Sequence, residues 1–336
     1  MQIKENIPLA QYTTFKIGGP ARFFCEVASE EDLVEAVKFS QEKNIPYFVL
    51  GSGSNLLISD AGFAGLVIKM ELKGVTFSDD RVSAAAGEIW DDLVAESVSR
   101  GFCGLENLSA IPGTVGAVAV QNIGAYGVDI GDVLESVRVL DTQNLNFSNL
   151  SKAECAFAYR DSIFKHQKGR HIISRTVFKL TRDGRVNIEY KDLVLYFKEK
   201  NLGRLPTPAE VREAVIGIRA AKLPDWKQWG TAGSYFKNPI ISLQQSVELK
   251  LHYPDLPSYP EPNGFVKVSL GWIIDKVCKL KGKGHEHVYL YEKQALVIVA
   301  RSGATASEVM ELSREIANCV FEKTGIKIEA EVEWVN

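Results

Sequence analysis

Cysteine is scarce in this 336-residue chain, and what there is does not pair up. Cys25, Cys103, Cys155, Cys278 and Cys319 are scattered, odd in number and never spaced Cys-x-x-Cys. That excludes a disulfide framework and a cysteine zinc site, and it suits a reducing, cytoplasmic setting. No stretch approaches the ~20 apolar residues that span a bilayer. Met1-Gln2-Ile3-Lys4-Glu5-Asn6 lacks the apolar core of a signal peptide, so no membrane insertion is expected. Neither sign of charge is in excess: 39 Lys and Arg stand against 42 Asp and Glu, a net charge of -3. Without a basic stretch, no nucleic-acid partner is expected. The Rossmann fingerprint and the Walker A loop are missing, and so is the Gly-x-Ser-x-Gly elbow of serine hydrolases.

What is present is an ordinary globular composition, 46% apolar and 24% charged, at a length that predicts two or three domains. The texture divides the chain at about residues 72 and 223, with a third segment to 325. A closing strand over 326–336 returns to the first domain. Ser29 with Asp32 predicts a helix start, and Asn44 and Pro46 its end. Tyr47-Phe48-Val49-Leu50 and Phe63 to Met70 read as strands. Asp91 to Arg100 reads as a helix stopped by Gly101, and Val133 to Leu140 and Ile172 to Leu180 read as strands. Thr207, Pro208 and Glu210 form a helix start, with Arg219 at the helix end and Lys222 just beyond. Thr305 and Glu308 open a last helix that Gly325 stops. In the closing strand, Ile326, Ile328, Ala330, Val332 and Trp334 share one face, which sends Glu331 to solvent.

Two glycine-rich stretches carry the chemistry. Gly51-Ser52-Gly53-Ser54-Asn55-Leu56 leaves a strand, where bare backbone N–H groups and serine hydroxyls can hold phosphate oxygens. Ile111-Pro112-Gly113-Thr114-Val115-Gly116-Ala117 and Gln121-Asn122-Ile123-Gly124-Ala125-Tyr126-Gly127 follow, a run of small residues suited to backbone packed against a flat or polyanionic ligand. Together they fit a dinucleotide with a pyrophosphate. Tyr159-Arg160-Asp161-Ser162 and Gly233-Ser234-Tyr235-Phe236-Lys237-Asn238-Pro239 read alone as polar loops. His285 and His287 flank Glu286 without a third ligand at a metal-binding spacing, so no metal is expected.

In order along the chain these stretches resemble the UDP-N-acetylenolpyruvoylglucosamine reductase family. The resemblance begins at Tyr12-Thr13-Thr14-Phe15-Lys16-Ile17-Gly18-Gly19-Pro20-Ala21 and runs through both glycine-rich stretches and Tyr159 to Ser162. It continues through Lys222-Leu223-Pro224, Gly233 to Pro239, Gly271-Trp272-Ile273-Ile274-Asp275 and Gln294-Ala295-Leu296-Val297 to Glu331-Val332.

The resemblance implies an α+β protein: an FAD-binding fold of the vanillyl-alcohol oxidase / p-cresol methylhydroxylase type, built of two α+β subdomains, with a C-terminal α+β substrate-binding domain. It implies non-covalent FAD, reduced by NADPH, that passes hydride to C3 of an enolpyruvyl group while a proton reaches C2. The substrate is UDP-N-acetylglucosamine-enolpyruvate. By the same match Arg160 is the electrostatic stabiliser, Ser234 the proton donor and Glu331 their companion. Ser52, Gly53, Ser54 and Asn55 hold the pyrophosphate, with Gly113, Thr114, Gly116, Asn122, Gly124 and Tyr126 around the flavin. Lys222, Asn238, Tyr259 and Gln294 contact the substrate. Tyr190, in Ile188-Glu189-Tyr190-Lys191-Asp192-Leu193, matches the mobile tyrosine of the long-loop subgroup. A monomer is the favoured state. Two alternatives stand beside this reading. One is a flavin oxidase with tethered FAD, against which none of the five histidines lies in the glycine-rich segments. The other is a colourless nucleotide-binding module that would not oxidise NADPH.

Overall fold

Ser29 starts the first long helix as its spacing predicts. Its hydroxyl accepts from the Asp32 backbone N–H at 3.0 Å, the helix runs Glu30–Lys43, and Asn44 ends it at φ 50°, a left-handed position that Asn tolerates better than most residues. Leu33, Ala36 and Val37 on one face are fully buried. The computed structural model describes residues 1–336, which divide into two compact units. The first is Met1–Ile7, Ala21–Ser52 and Ala64–Ala221; the second is Pro8–Pro20, Gly53–Phe63 and Lys222–Asn336.

The first unit holds two sheets. One has the order Lys4–Pro8, Pro20–Val27, Phe63–Met70, Tyr47–Leu50, and its last two strands are parallel, with Tyr47 opposite Leu66. The other is antiparallel, in the order Asn146–Ser151, Leu134–Asp141, His171–Lys179, Arg81–Ala85, Val75–Phe77. Leu66, Ile68, Val82, Val137, Val139 and Phe178 are fully buried and belong to one core. Trp90 opens the helix Trp90–Ser99, is itself fully buried, and satisfies its indole N–H on the Leu108 carbonyl at 2.9 Å, as a buried indole requires. The helix Pro208–Lys222 starts on the capping box: Thr207 N–H donates to Glu210 at 2.7 Å and Glu210 N–H to the Thr207 hydroxyl at 3.3 Å. It includes Lys222, which the sequence placed just past its end.

The second unit packs the helix Ala306–Thr324 over small sheets. Val309, Leu312, Ile316 and Val320 face one core with Val268, Leu270, Ile274 and Ile298. The Thr305–Glu308 capping box is formed. The run Tyr12 to Pro20 is the unit's staple: Thr14 donates its hydroxyl to the Thr231 carbonyl at 2.6 Å and its N–H to the Gly53 carbonyl at 3.1 Å.

The closing strand is shorter than its alternation predicts. Regular pairing covers only Glu333–Val335, parallel to Leu56–Ile58. Just before it, the chain runs beside residues 234–237 instead. Phe236 bridges Ala330, Lys237 N–H reaches the Glu329 carbonyl at 3.0 Å, and Glu331 N–H reaches the Tyr235 carbonyl at 2.7 Å. Val332 and Val335 are buried while Trp334 is 39% exposed. The inward face therefore shifts by one residue where the chain changes partners.

Candidate functional site

In the first unit the two glycine-rich stretches meet. A Cβ built on Gly51 would lie 2.6 Å from Thr114 Oγ1 and 3.3 Å from Ala117 Cβ, and one on Gly116 would lie 2.8 Å from Ala86 Cβ. Only glycine permits these approaches. Beside Gly51, the Ser52 hydroxyl is buried with no hydrogen-bond partner. Such a group costs about 1–3 kcal/mol, which a phosphate oxygen placed there would recover. Thr114 precedes the short helix Val115–Gln121 yet makes no side-chain cap bond. The Gly113 carbonyl accepts from the Trp90 backbone N–H at 3.0 Å, fixing the loop to the core. The Ser52 hydroxyl beside these glycines has the chemistry to donate to a phosphate oxygen.

Arg160 is held by a hairpin built from the same stretch. Gly124–Ala125 pairs with Val128–Asp129, and Tyr126 and Gly127 turn it at φ 50° and 82°, the sign that a two-residue hairpin turn demands. Arg160 Nη1 lies 3.3 Å from Asp129 Oδ1, and Nη2 donates to the Gly124 carbonyl. The Arg160 side chain is 17% exposed. Asn122 uses its side chain on structure: its amide donates to the Ala158 carbonyl at 2.7 Å and its Oδ1 accepts from Gly131 N–H at 2.9 Å. It thereby anchors the turn that carries Arg160.

Tyr126 also meets Tyr190, ring edge to face at 5.3 Å. Burial pushes the Tyr126 phenol up to about 12, against the opposing pull of Arg219, so it remains a neutral donor at neutral pH. Tyr190 is 46% exposed and begins the helix Lys191–Lys200. Three residues here escaped sequence reasoning as site residues. Asn107, fully out of solvent, donates to the carbonyls of both Tyr126 and Asn187 at 2.8 Å, tying the hairpin to the loop before Tyr190. Asp129 pairs with Arg160. Arg219 donates Nε to the Ala110 carbonyl at 3.3 Å, and burial lowers its affinity for its proton while Tyr126 and Asp91 raise it. Asn107 sits in Leu105-Glu106-Asn107-Leu108, where no motif distinguishes it from a turn asparagine.

The second unit gathers four expected residues on one irregular ladder. Ser234 bridges Val297, and Tyr235 N–H donates to the Leu296 carbonyl at 2.7 Å. On the other side, Glu331 N–H bonds the Tyr235 carbonyl at 2.7 Å. Ser234 and Glu331 are half-buried, so Glu331 does not face solvent as its periodicity predicts. Asn55 donates Nδ2 to the Glu331 carbonyl at 3.0 Å. Gln294 forms the turn before Val297, accepting from Leu296 N–H at 3.3 Å. Gly271 lies against it, where a Cβ would come 3.3 Å from Gln294 Oε1. Asn238 Oδ1 accepts from Leu270 N–H at 3.0 Å, leaving its amide hydrogens for other partners. Gly53, at φ 64°, has no room for a side chain beside the Tyr12 carbonyl. Ser54 is half-buried in the same loop. Lys222 and Tyr259 are exposed, Tyr259 by 55%. Ser234, Glu331, Asn55 and Gln294 thus share one unit, and Arg160 belongs to the other.

His287 and His285 point to separate carboxylates, Glu308 at 3.0 Å and Glu315 at 3.3 Å. No helix is long and apolar enough to cross a membrane.

Comparison with known proteins finds two family models along the chain. Residues 21–144 match the family described as FAD binding domain, and residues 225–335 match UDP-N-acetylenolpyruvoylglucosamine reductase, C-terminal domain. The chain is 42% identical to the UDP-N-acetylenolpyruvoylglucosamine reductase of Neisseria meningitidis serogroup A, over 99% of this chain and 97% of that one. It is also 42% identical to the enzyme of that name from Cupriavidus pinatubonensis, over 97% of each. The solved structure of UDP-N-acetylenolpyruvylglucosamine reductase from Thermus caldophilus covers 100% of both chains, with a TM-score of 0.72 and 28% identity.

Proposed function

This chain belongs to the UDP-N-acetylenolpyruvoylglucosamine reductase family, and from that premise we propose how its own residues carry the reaction. The enzyme reduces the enolpyruvyl group of UDP-N-acetylglucosamine-enolpyruvate to the D-lactyl ether of UDP-N-acetylmuramate, in peptidoglycan precursor synthesis, with NADPH as the hydride source. FAD, when bound, supplies the relay of hydride from NADPH to C3 of the alkene.

Ser52, Gly53, Ser54 and Asn55 hold the pyrophosphate. Gly113, Thr114, Gly116, Asn122, Gly124 and Tyr126 border the flavin. The cradle of Gly51 and Thr114 and the orphaned Ser52 hydroxyl support that reading. Hydride addition at C3 leaves an electron pair at C2, delocalised into the carboxylate. Arg160, fixed by Asp129 and the Gly124 carbonyl, supplies the positive charge that this anion needs. Ser234 delivers the proton to C2. A hydroxyl is a weak acid, so it acts only when held close and aligned, and its place between Val297 and the Glu331 chain supports that role. Glu331 completes the set beside Ser234. Lys222, Asn238, Tyr259 and Gln294 bind the UDP-sugar, and Tyr190 closes on its diphosphate. The enzyme works as a cytoplasmic monomer.

The observation that carries the assignment of Ser234 and Glu331 is their adjacency: the Glu331 N–H bonds the carbonyl of Tyr235, next to Ser234. The test is spectroscopic. Purified protein should be yellow, bleach under NADPH without oxygen and recolour on adding the enolpyruvyl sugar, and acid should release free FAD. A colourless protein, or a flavin retained after acid denaturation, refutes the reading.

A further inference from the structure

We infer that the second unit carries a binding site for a small aromatic monocarboxylate, in a cavity of about 180 Å³ between the helix Ala306–Thr324 and the ladder of residues 235–236 and 330–334. None of the residues assigned above to the reaction lines it. Met310, Ser313, Arg314 and Ala317 form one wall, all from that helix. Their spacing is that of a single helical face. It is a second face, because Val309, Leu312, Ile316 and Val320 are already packed in the core. The opposite wall is Tyr235 and Phe236, and the Phe236–Ala330 bridge joins them to the chain that brings Val332 and Trp334.

Size and charge select the ligand. An apolar cavity of about 150 Å³ holds one benzene molecule, whereas sites for drug-sized ligands run to about 300–1,000 Å³. A cavity of about 180 Å³ therefore takes one ring with one small substituent, and excludes FAD, NADPH and the UDP-sugar. Phe236 and Val332 are buried in its wall and Trp334 flanks them, which suits a flat apolar body. The polar groups sit on the helix side. Arg314 lines the cavity without an ion pair, while two acids of the same helix, Glu308 and Glu315, pair with His287 and His285. Tyr235 donates its phenol to Met310 Sδ at 3.6 Å, a weak acceptor that an oxygen would better replace. Burial raises the Tyr235 phenol above its ordinary range, and Ser313 and Arg314 oppose that rise, so the guanidinium charge reaches the cavity. No Asp or Glu lines it. A carboxylate there meets a guanidinium and a phenol hydroxyl together, and charge-assisted bonds of this kind are the strong ones.

The test is a titration of the holoenzyme followed by nuclear magnetic resonance, with isotope labels on the methionine methyl groups. The chain has three methionines, and of these Met310 alone lines the cavity. Benzoate is compared with benzamide, which has nearly the same shape and no charge. Benzoate should shift the Met310 methyl signal saturably and leave those of Met1 and Met70 in place. Benzamide should bind about 10- to 100-fold more weakly, the factor that a hydrogen bond to a charged group is worth. Arg314→Gln should bring benzoate down to the level of benzamide, and the residue is exposed, so the fold should survive the change. Saturating enolpyruvyl sugar should leave benzoate bound. A silent Met310 signal would overturn the inference, and so would equal binding of the two probes. Displacement of benzoate by the sugar would also overturn it, by placing the carboxylate among the reaction residues instead.

Discussion

Asp129 receives the Arg160 guanidinium at 3.3 Å across a hairpin stem in which Gly124 leaves no room for a side chain. A Cβ on Gly124 would overlap Asp129 Oδ1 and lie 2.7 Å from Arg160 Nη1. The glycine that reads in sequence as a flavin contact is thus also the space into which the Arg160–Asp129 pair fits.

Gly124→Ala should accordingly displace Arg160 without unfolding the protein. The substrate half-reaction, followed as flavin recolouring, should slow about 100-fold, while bleaching by NADPH changes little. Equal slowing of both half-reactions would mean that Gly124 serves the flavin and not Arg160.

Ser234→Ala should separate the two halves of turnover more sharply. The residue lies on the ladder beside Glu331 and away from the Ser52–Thr114 cradle in sequence. Only the substrate half-reaction needs a proton at C2, so it should slow by about 10²- to 10⁴-fold with NADPH reduction intact. A normal recolouring rate in anaerobic stopped flow would remove Ser234 from the mechanism.

Tyr190→Phe should raise the KM for the UDP-sugar about 10- to 100-fold and leave kcat within a small factor. The ring would keep its edge contact with Tyr126 at 5.3 Å. What is lost is one hydroxyl bond to a charged diphosphate, worth about 1.5–3 kcal/mol. An unchanged KM would make Tyr190 an exposed tyrosine with no part in binding.

Much of this was legible in the chain because the signals were local. Ser29, Thr207 and Thr305 cap helices where the spacing puts them, since a cap needs only three or four neighbouring residues. The glycines at 51 and 116 could be suspected of close approach, but not what they approach, because Thr114 and Ala86 come from other segments. Glu331 was misplaced by its own alternation. Residues 329–331 bond the irregular 235–237 segment and residues 333–335 a true strand, and a change of partner leaves no mark on a hydrophobic pattern. Asn107 and Asp129 stayed hidden for a related reason: their value lies in which distant backbone carbonyl or guanidinium they meet.

The Asp91–Arg212 pair should make acid stability of the first unit depend on one arginine. Arg212 reaches both carboxylate oxygens of Asp91, at 2.6 and 2.9 Å, and Ala110 N–H adds a third bond at 2.6 Å. Burial alone would raise the Asp91 carboxyl above its ordinary range, but the Arg212 and Ala110 bonds outweigh it and hold the group below that range. A group depressed in the folded state contributes stability that is complete above its unfolded value, about 4 for aspartate. That stability is lost as pH falls through the lower folded value. Arg212→Gln should therefore lower stability at pH 7 by about 2 kcal/mol, between the cost of breaking an exposed pair and a fully buried one. It should also lose less than the wild type as pH is taken from about 5 to 3, because less of the depression remains to be titrated away. Thermal melts of both proteins across that range make the comparison. Parallel curves would show that the Asp91 carboxylate is held down by the Ala110 N–H and the neighbouring Arg219, with Arg212 contributing packing alone.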